Sequence, residues 1–158
     1  MKKKFRILCA AVLLGCFMSI PAQAAETRKE FKEAAAPVRA ELKAVGEELK
    51  ALQEDNKAAA ASYKSMRLEK KETGTLKVDK ETWKKARELR SQITAIRKSM
   101  EESTAKELRQ KAAAAAKEED FDTALDTLEQ VLDMKKERLE SVEKIHALWK
   151  EIDGLLKE

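Results

Sequence analysis

The chain is predicted to be all-α: long antiparallel helices carrying coiled-coil heptads, closed as a three-helix bundle or as an elongated helical hairpin. Three observations predict this. Only four of the 158 residues are Gly and two are Pro, too few turn formers for an all-β fold, which needs a turn every dozen residues or so. Charged residues make up 39% and aromatics 4%, with Ala, Glu, Lys, Leu and Arg dominant, the composition of long helices. Apolar residues also recur in alternating three- and four-residue steps, which places them on one helix face.

Residues 1–24 differ from the rest. Lys2, Lys3, Lys4 and Arg6 make a basic start, and the apolar run 7–20 is short for a membrane span. Pro21-Ala22-Gln23-Ala24 ends it with the small–x–small spacing of a signal-peptidase site. The expectation is an exported protein cleaved after Ala24, placed in a periplasm or outside the cell. A competing reading takes Leu13-Leu14-Gly15-Cys16 as a lipoprotein box with Cys16 lipidated, although Leu14 is bulky for its position and Phe17 and Met18 prolong the apolar run. A retained, uncleaved anchor is the third alternative. The leader holds four of the 33 basic residues and none of the 29 acidic ones, so residues 25–158 carry 29 of each and are formally neutral. Net charge therefore gives no argument for nucleic-acid binding, and no such partner is expected. Cys9 and Cys16 both lie in the leader, leaving residues 25–158 without a thiol.

Residues 25–158 read as a single helical domain with helices at about 27–71, 80–117 and 120–157. In the first, Phe31, Val38, Val45, Leu52, Ala59 and Met66 form one seven-residue series, and Ala35, Leu42, Leu49, Asn56 and Tyr63 form a second, offset by four. Together they make the seam of a left-handed coiled coil, through which self-association is possible. Asn56 interrupts that seam. It either sets register or marks a solvated stretch beside Ala58 to Ala61. Pro37 either kinks the helix or sits at its first position. The pattern breaks around Gly74, between Thr73 and Thr75. Asp79 is a good N-cap for the second helix, with Val78 and Trp83 spaced as a hydrophobic staple. Ala86, Leu89, Ile93, Ile96 and Met100 keep the stripe, which then shifts to Ala105, Leu108, Ala112 and Ala115. The third helix has a broad apolar face, from Phe121 to Leu156, wide enough to meet two neighbours.

Little here points to an active site, and no catalytic residue, cofactor or metal site is expected. His146 is the sole histidine and flanks an apolar stripe. Nucleotide-binding glycine motifs and a nucleophile elbow are absent. Glu118, Glu119, Asp120 and Asp122 lack the spacing and central Gly of an EF-hand and read instead as charge complementing a helix N-terminus. Charge does segregate. Between Arg67 and Arg90 nine basic residues face five acidic ones, and between Lys117 and Asp133 one faces seven. An antiparallel bundle would put these at opposite ends, as a basic tip and an acidic tip. Both are either solvated turns, or the basic tip is a docking site in which Lys77, Lys80, Trp83, Lys84 and Lys85, with Leu76, contact an anionic envelope surface. Trp83 reads first as a structural clamp.

Two resemblances complete the reading. Ala112, Phe121, Ala124, Leu128, Val131, Leu132 and Met134 resemble half of a tetratricopeptide unit, with Leu108, Ala115 and Lys136 at the motif's Trp, Tyr and Pro positions. One unit implies a helix–turn–helix and no solenoid. Residues 119–152, with an Asp-Phe-Asp start leading into a long amphipathic helix, resemble the last helix of Spy/CpxP-type extracytoplasmic chaperones. That family's Leu-Thr-x-x-Gln motif has no counterpart in this chain. The resemblance implies a small non-enzymatic helical protein that binds unfolded or envelope proteins, or an envelope-stress adaptor. Such a chaperone needs an exposed apolar groove, expected along the Ala-rich part of the second helix. The alternative is a structural rod that docks an envelope surface through its basic tip.

Overall fold

The first helix, α1 (Arg28–Thr73), starts at Thr27 with a reciprocal capping box. The Thr27 hydroxyl accepts from the Glu30 amide at 3.2 Å, and the Thr27 amide donates to Glu30 Oε2 at 2.9 Å. The helix therefore begins upstream of Pro37, which lies exposed in its interior rather than at its first position. Lacking an N–H, Pro37 leaves the Glu33 carbonyl without its usual donor. Gly74 ends α1 in the left-handed region (φ 70°), and its amide bonds to the Lys70 carbonyl at 3.0 Å, a conformation that costs a residue without Cβ nothing. This computed structural model describes residues 27–75, 78–100 and 105–157. The leader with Ala24 and Cys16 lies outside the described residues, as do Leu76 and Lys77.

The second helix, expected to be continuous over about 80–117, is two elements, α2 (Lys80–Ser99) and α3 (Ala105–Lys117). Met100 leaves the helical region at ψ 33°, and its amide bonds to the Ile96 carbonyl, as does the Ser99 hydroxyl at 2.8 Å. The physical reason is the phase of the apolar stripe. A five-residue step from Met100 to Ala105 rotates the stripe by about 140° on a continuous helix. Interrupting the helix lets each half turn its own stripe inward.

Between α3 and the last helix, α4 (Phe121–Lys157), Glu119 adopts φ 64°. The Asp120 amide reaches back to the Ala115 carbonyl at 3.0 Å, the long bond of a Schellman turn. Asp120 then caps α4, its carboxylate accepting from the Thr123 amide at 3.2 Å. This is the helix–turn–helix expected from residues 112–134.

Aromatic contacts set the topology. Phe31 stacks on Phe121 with centroids 5.3 Å apart, and Tyr63 meets Trp149 edge-on at 5.9 Å. Thus α1 and α4 run parallel, while α2 and α3 return antiparallel to both. The fold is all-α, with 93% of the described residues helical, and of the two closures expected it takes the three-helix bundle, with a broken middle arm. Both heptad series of α1 turn inward. Among the described residues, α1 meets α2 and α3 only through side chains, its Cα atoms staying more than 8 Å from theirs, whereas all three elements close on α4. The broad apolar face of α4 serves as the spine.

The core has three parts along this spine. Phe31, Ala35, Ala115, Phe121 and Ala124 pack at the end nearest Glu119. Val45, Leu49, Leu132 and Val142 fill the middle. Tyr63, Trp83, Ala86, Ile93, Trp149 and Ile152 lead the third cluster, at the end nearest Gly74. At about 1.5 Å per residue, the 46 residues of α1 span about 69 Å.

Candidate functional site

The basic tip is built where α1 ends and α2 begins. The Asp79 carboxylate accepts from the amides of Glu81 and Thr82 at 2.8 and 2.9 Å and from the Thr82 hydroxyl. Those bonds, the Thr82 hydroxyl's foremost, hold its carboxyl below the usual aspartate pKa. With α2 fixed in this way, Lys80, Lys84 and Lys85 project into solvent. Trp83 does not. It is 6% exposed, stacked on Tyr63 at 5.4 Å and covered by the Lys70 ammonium 5.4 Å from its ring. Trp83 therefore leaves the docking set and is the structural clamp, with Val78 packed against the same cluster.

Sequence reasoning missed one exposed residue at this end. Leu68, 47% exposed, is the one large apolar side chain widely open to solvent among the described residues. Lys64 and Lys71 lie four residues before and three after it, on the same face of α1. Leu68 falls outside both heptad series, the only signal in the sequence that it faces outward. At the adjoining end of the chain Lys150 and Lys157 stand against Glu151, Asp153 and Glu158, so only part of the positive excess of the tip is offset there.

Halfway along the rod the structure joins two residues that the sequence presents separately. Asn56, 4% exposed, donates from Nδ2 to the Val142 carbonyl at 3.4 Å, and its Oδ1 lies 3.1 Å from His146 Nδ1. With Asn56 Oδ1 as acceptor, His146 Nδ1 donates the hydrogen between them. Asn56 is therefore buried within the α1–α4 seam and not part of a solvated stretch. His146 also lines a cavity of about 360 Å³ with Asp55, Ser62, Trp149, Lys150 and Asp153. The Trp149 indole N–H is buried without a hydrogen-bond partner, beneath the Arg90 guanidinium 5.5 Å from its ring. His, Asp and Glu side chains form no metal-binding group of three among the described residues, and no described helix is long and apolar enough to cross a membrane.

The Ala-rich stretch is not an open groove. Ala112 and Ala115 are buried, and Ala115 joins the Phe31–Phe121 cluster, while Ala113 and Ala114 face solvent. At the acidic tip, Arg28 approaches Glu119 at 3.9 Å, an exposed pair worth little. Comparison of the chain with family models, with curated proteins and with solved structures finds no match in any of the three.

Proposed function

We propose that this is an exported, non-enzymatic rod that works through surface contacts and docks end-on to an anionic envelope surface by its basic tip. The observation that carries the reading is the position of Leu68. The widely exposed large apolar side chain lies at the same end as exposed Lys64, Lys71, Lys80, Lys84 and Lys85. An apolar residue with Lys64 and Lys71 beside it on α1, and with three further lysines at the same end of the rod, suits a surface with anionic headgroups over an apolar layer, although Glu72 shares its face. Near such a surface each Lys contributes about 1 kcal/mol, and the attraction is screened over about 10 Å at 0.1 M salt.

The test uses residues 25–158 and vesicles of phosphatidylglycerol mixed with phosphatidylcholine, against phosphatidylcholine alone. Cosedimentation with the anionic vesicles, weakened by salt, is expected. Replacing Lys80, Lys84 and Lys85 by Glu should abolish it while helicity is retained. Retention equal to that of the unaltered protein would refute the proposal.

A chaperone or stress-adaptor role is the second reading, favoured by the thin contacts of α3, whose buried side chains are mostly alanine. In the closed bundle those alanines are covered, so client binding would require α3 to separate from α4. Suppression of an unrelated protein's aggregation at stoichiometric ratio would support this role, and its absence with helicity intact would leave the docking rod.

A further inference from the structure

Four basic side chains from three helices gather where the middle arm of the bundle breaks. Arg97 lies in the last turn of α2, Arg109 on α3, and Lys135 and Arg138 one turn apart on α4. Among the described residues none of the four has an ion-pair partner. By contrast, neighbouring Lys136 bonds to Glu41 at 2.7 Å. The residues three and four away from Arg138 are Met134, Lys135, Ser141 and Val142, so its own helix offers no carboxylate. The Lys135 ammonium is wedged against α1, 3.1 Å from where a Cβ on Gly46 would stand. Burial, and secondly the charge of Arg109, hold its pKa below the usual lysine value. Residues 25–158 contain as many acidic as basic residues, so the lack of ion-pair partners for these four among the described residues is a matter of placement.

Arg97 and Arg138 line one cavity of about 270 Å³ together with Gln53 and Asn56 of α1. Among the described residues no carboxylate lines it. The remaining wall is apolar, from Met100, Val142 and Ile145. Asn56 uses one amide hydrogen on the Val142 carbonyl, and its second has no partner among the described residues. The cavity thus offers guanidinium and amide donors on one side and hydrocarbon on the other. The negative end of α2 accounts for a cation at Arg97, but no helix end accounts for Arg138, which lies in the middle of α4.

We propose that this cavity binds a small amphiphilic anion, a carboxylate or phosphate head on a short hydrocarbon body. Arg97 and Arg138 take the oxyanion, the geometry for which guanidinium forks are suited. Met100, Val142 and Ile145 cover the body. At about 30 Å³ per water the space equals about nine waters, which accommodates the eight heavy atoms of hexanoate. The site is separate from the basic tip and does not depend on surface docking.

The test is a titration of the purified chain followed by NMR at the Met100 methyl and the Asn56 side-chain amide. Hexanoate and hexyl phosphate are the two probes, and inorganic phosphate and hexanol are half-probes lacking body or charge. Saturable shifts are expected with at least one of the amphiphiles, the tighter of the two identifying the head group, and weaker binding of both half-probes. Arg138→Gln and, separately, Arg97→Gln should each weaken the tighter amphiphile at least about tenfold, with helicity unchanged. The proposal is overturned if neither amphiphile gives a saturable shift, if hexanol binds as tightly as hexanoate, or if both variants bind as the unaltered chain does.

Discussion

Asn56 is a short polar side chain in a heptad series otherwise made of Ala35, Leu42, Leu49 and Tyr63, and its burial requires a partner. His146 and the Val142 carbonyl supply one on each side of the amide. Sliding α1 against α4 by one turn would remove both bonds, so the pair pins the register of two parallel helices. Asn56→Ala and His146→Ala, alone and together, should give a coupling of about 0.5–1.5 kcal/mol in urea unfolding. Strict additivity would mean that the pair does not act together. The polar interruption was legible in the sequence, whereas its partner, 90 residues away, was not, because heptad spacing names a face and no cross-helix register. Asp79 shows a second residue-scale effect. Its folded pKa lies below its ordinary value of 3.8, so its stabilisation is complete above that pH and is lost as pH falls through the lowered folded value. Asp79→Asn should flatten this part of the acid dependence of thermal unfolding. An unchanged acid limb would show that the cap does not couple to global stability.

At the scale of elements, the two turns use the same left-handed geometry with different residues. Gly74 adopts it freely, whereas Glu119 adopts φ 64° with a Cβ, at a cost of about 1–2 kcal/mol. Glu119→Gly should therefore raise stability by about 1 kcal/mol, because losing the exposed Arg28 pair costs little. Gly74→Ala should lower it by a similar amount. Differential scanning calorimetry of both variants checks the pair of signs, and equal signs would contradict the turn assignments. The extent of α1 was readable from its two apolar series and the glycine beyond its end, whereas its start was left open at Pro37 and is settled by the Thr27 capping box. The division of α2 from α3 was present as the five-residue step from Met100 to Ala105 and as the Thr104-x-x-Glu107 pattern of a helix start, a signal that sequence reasoning missed because no Gly or Pro accompanies it. The role of α4 as spine followed from its wide apolar face. The covering of Trp83 by Tyr63 and Lys70 did not, since it depends on how three helix ends converge.

For the whole molecule, the consequence is polarity. Residues 25–158, formally neutral, become a rod with an acidic end, where α3 turns into α4, and a basic end, where α1 turns into α2. The charge segregation was legible in the sequence, and the two turns at opposite ends turn it into an axis. Leu68 gives the basic end its apolar contact. The docking account requires that this end approach an anionic surface while the other remains in solvent. The most direct measurement places an environment-sensitive dye on a cysteine at position 68 (Leu68→Cys) and, in a second protein, at position 118 (Glu118→Cys). Residues 25–158 contain no other cysteine. On adding phosphatidylglycerol vesicles at low salt, the dye at 68 should shift to the blue and the dye at 118 should not. Equal shifts at both positions, or no shift at 68, would contradict end-on docking through the basic tip.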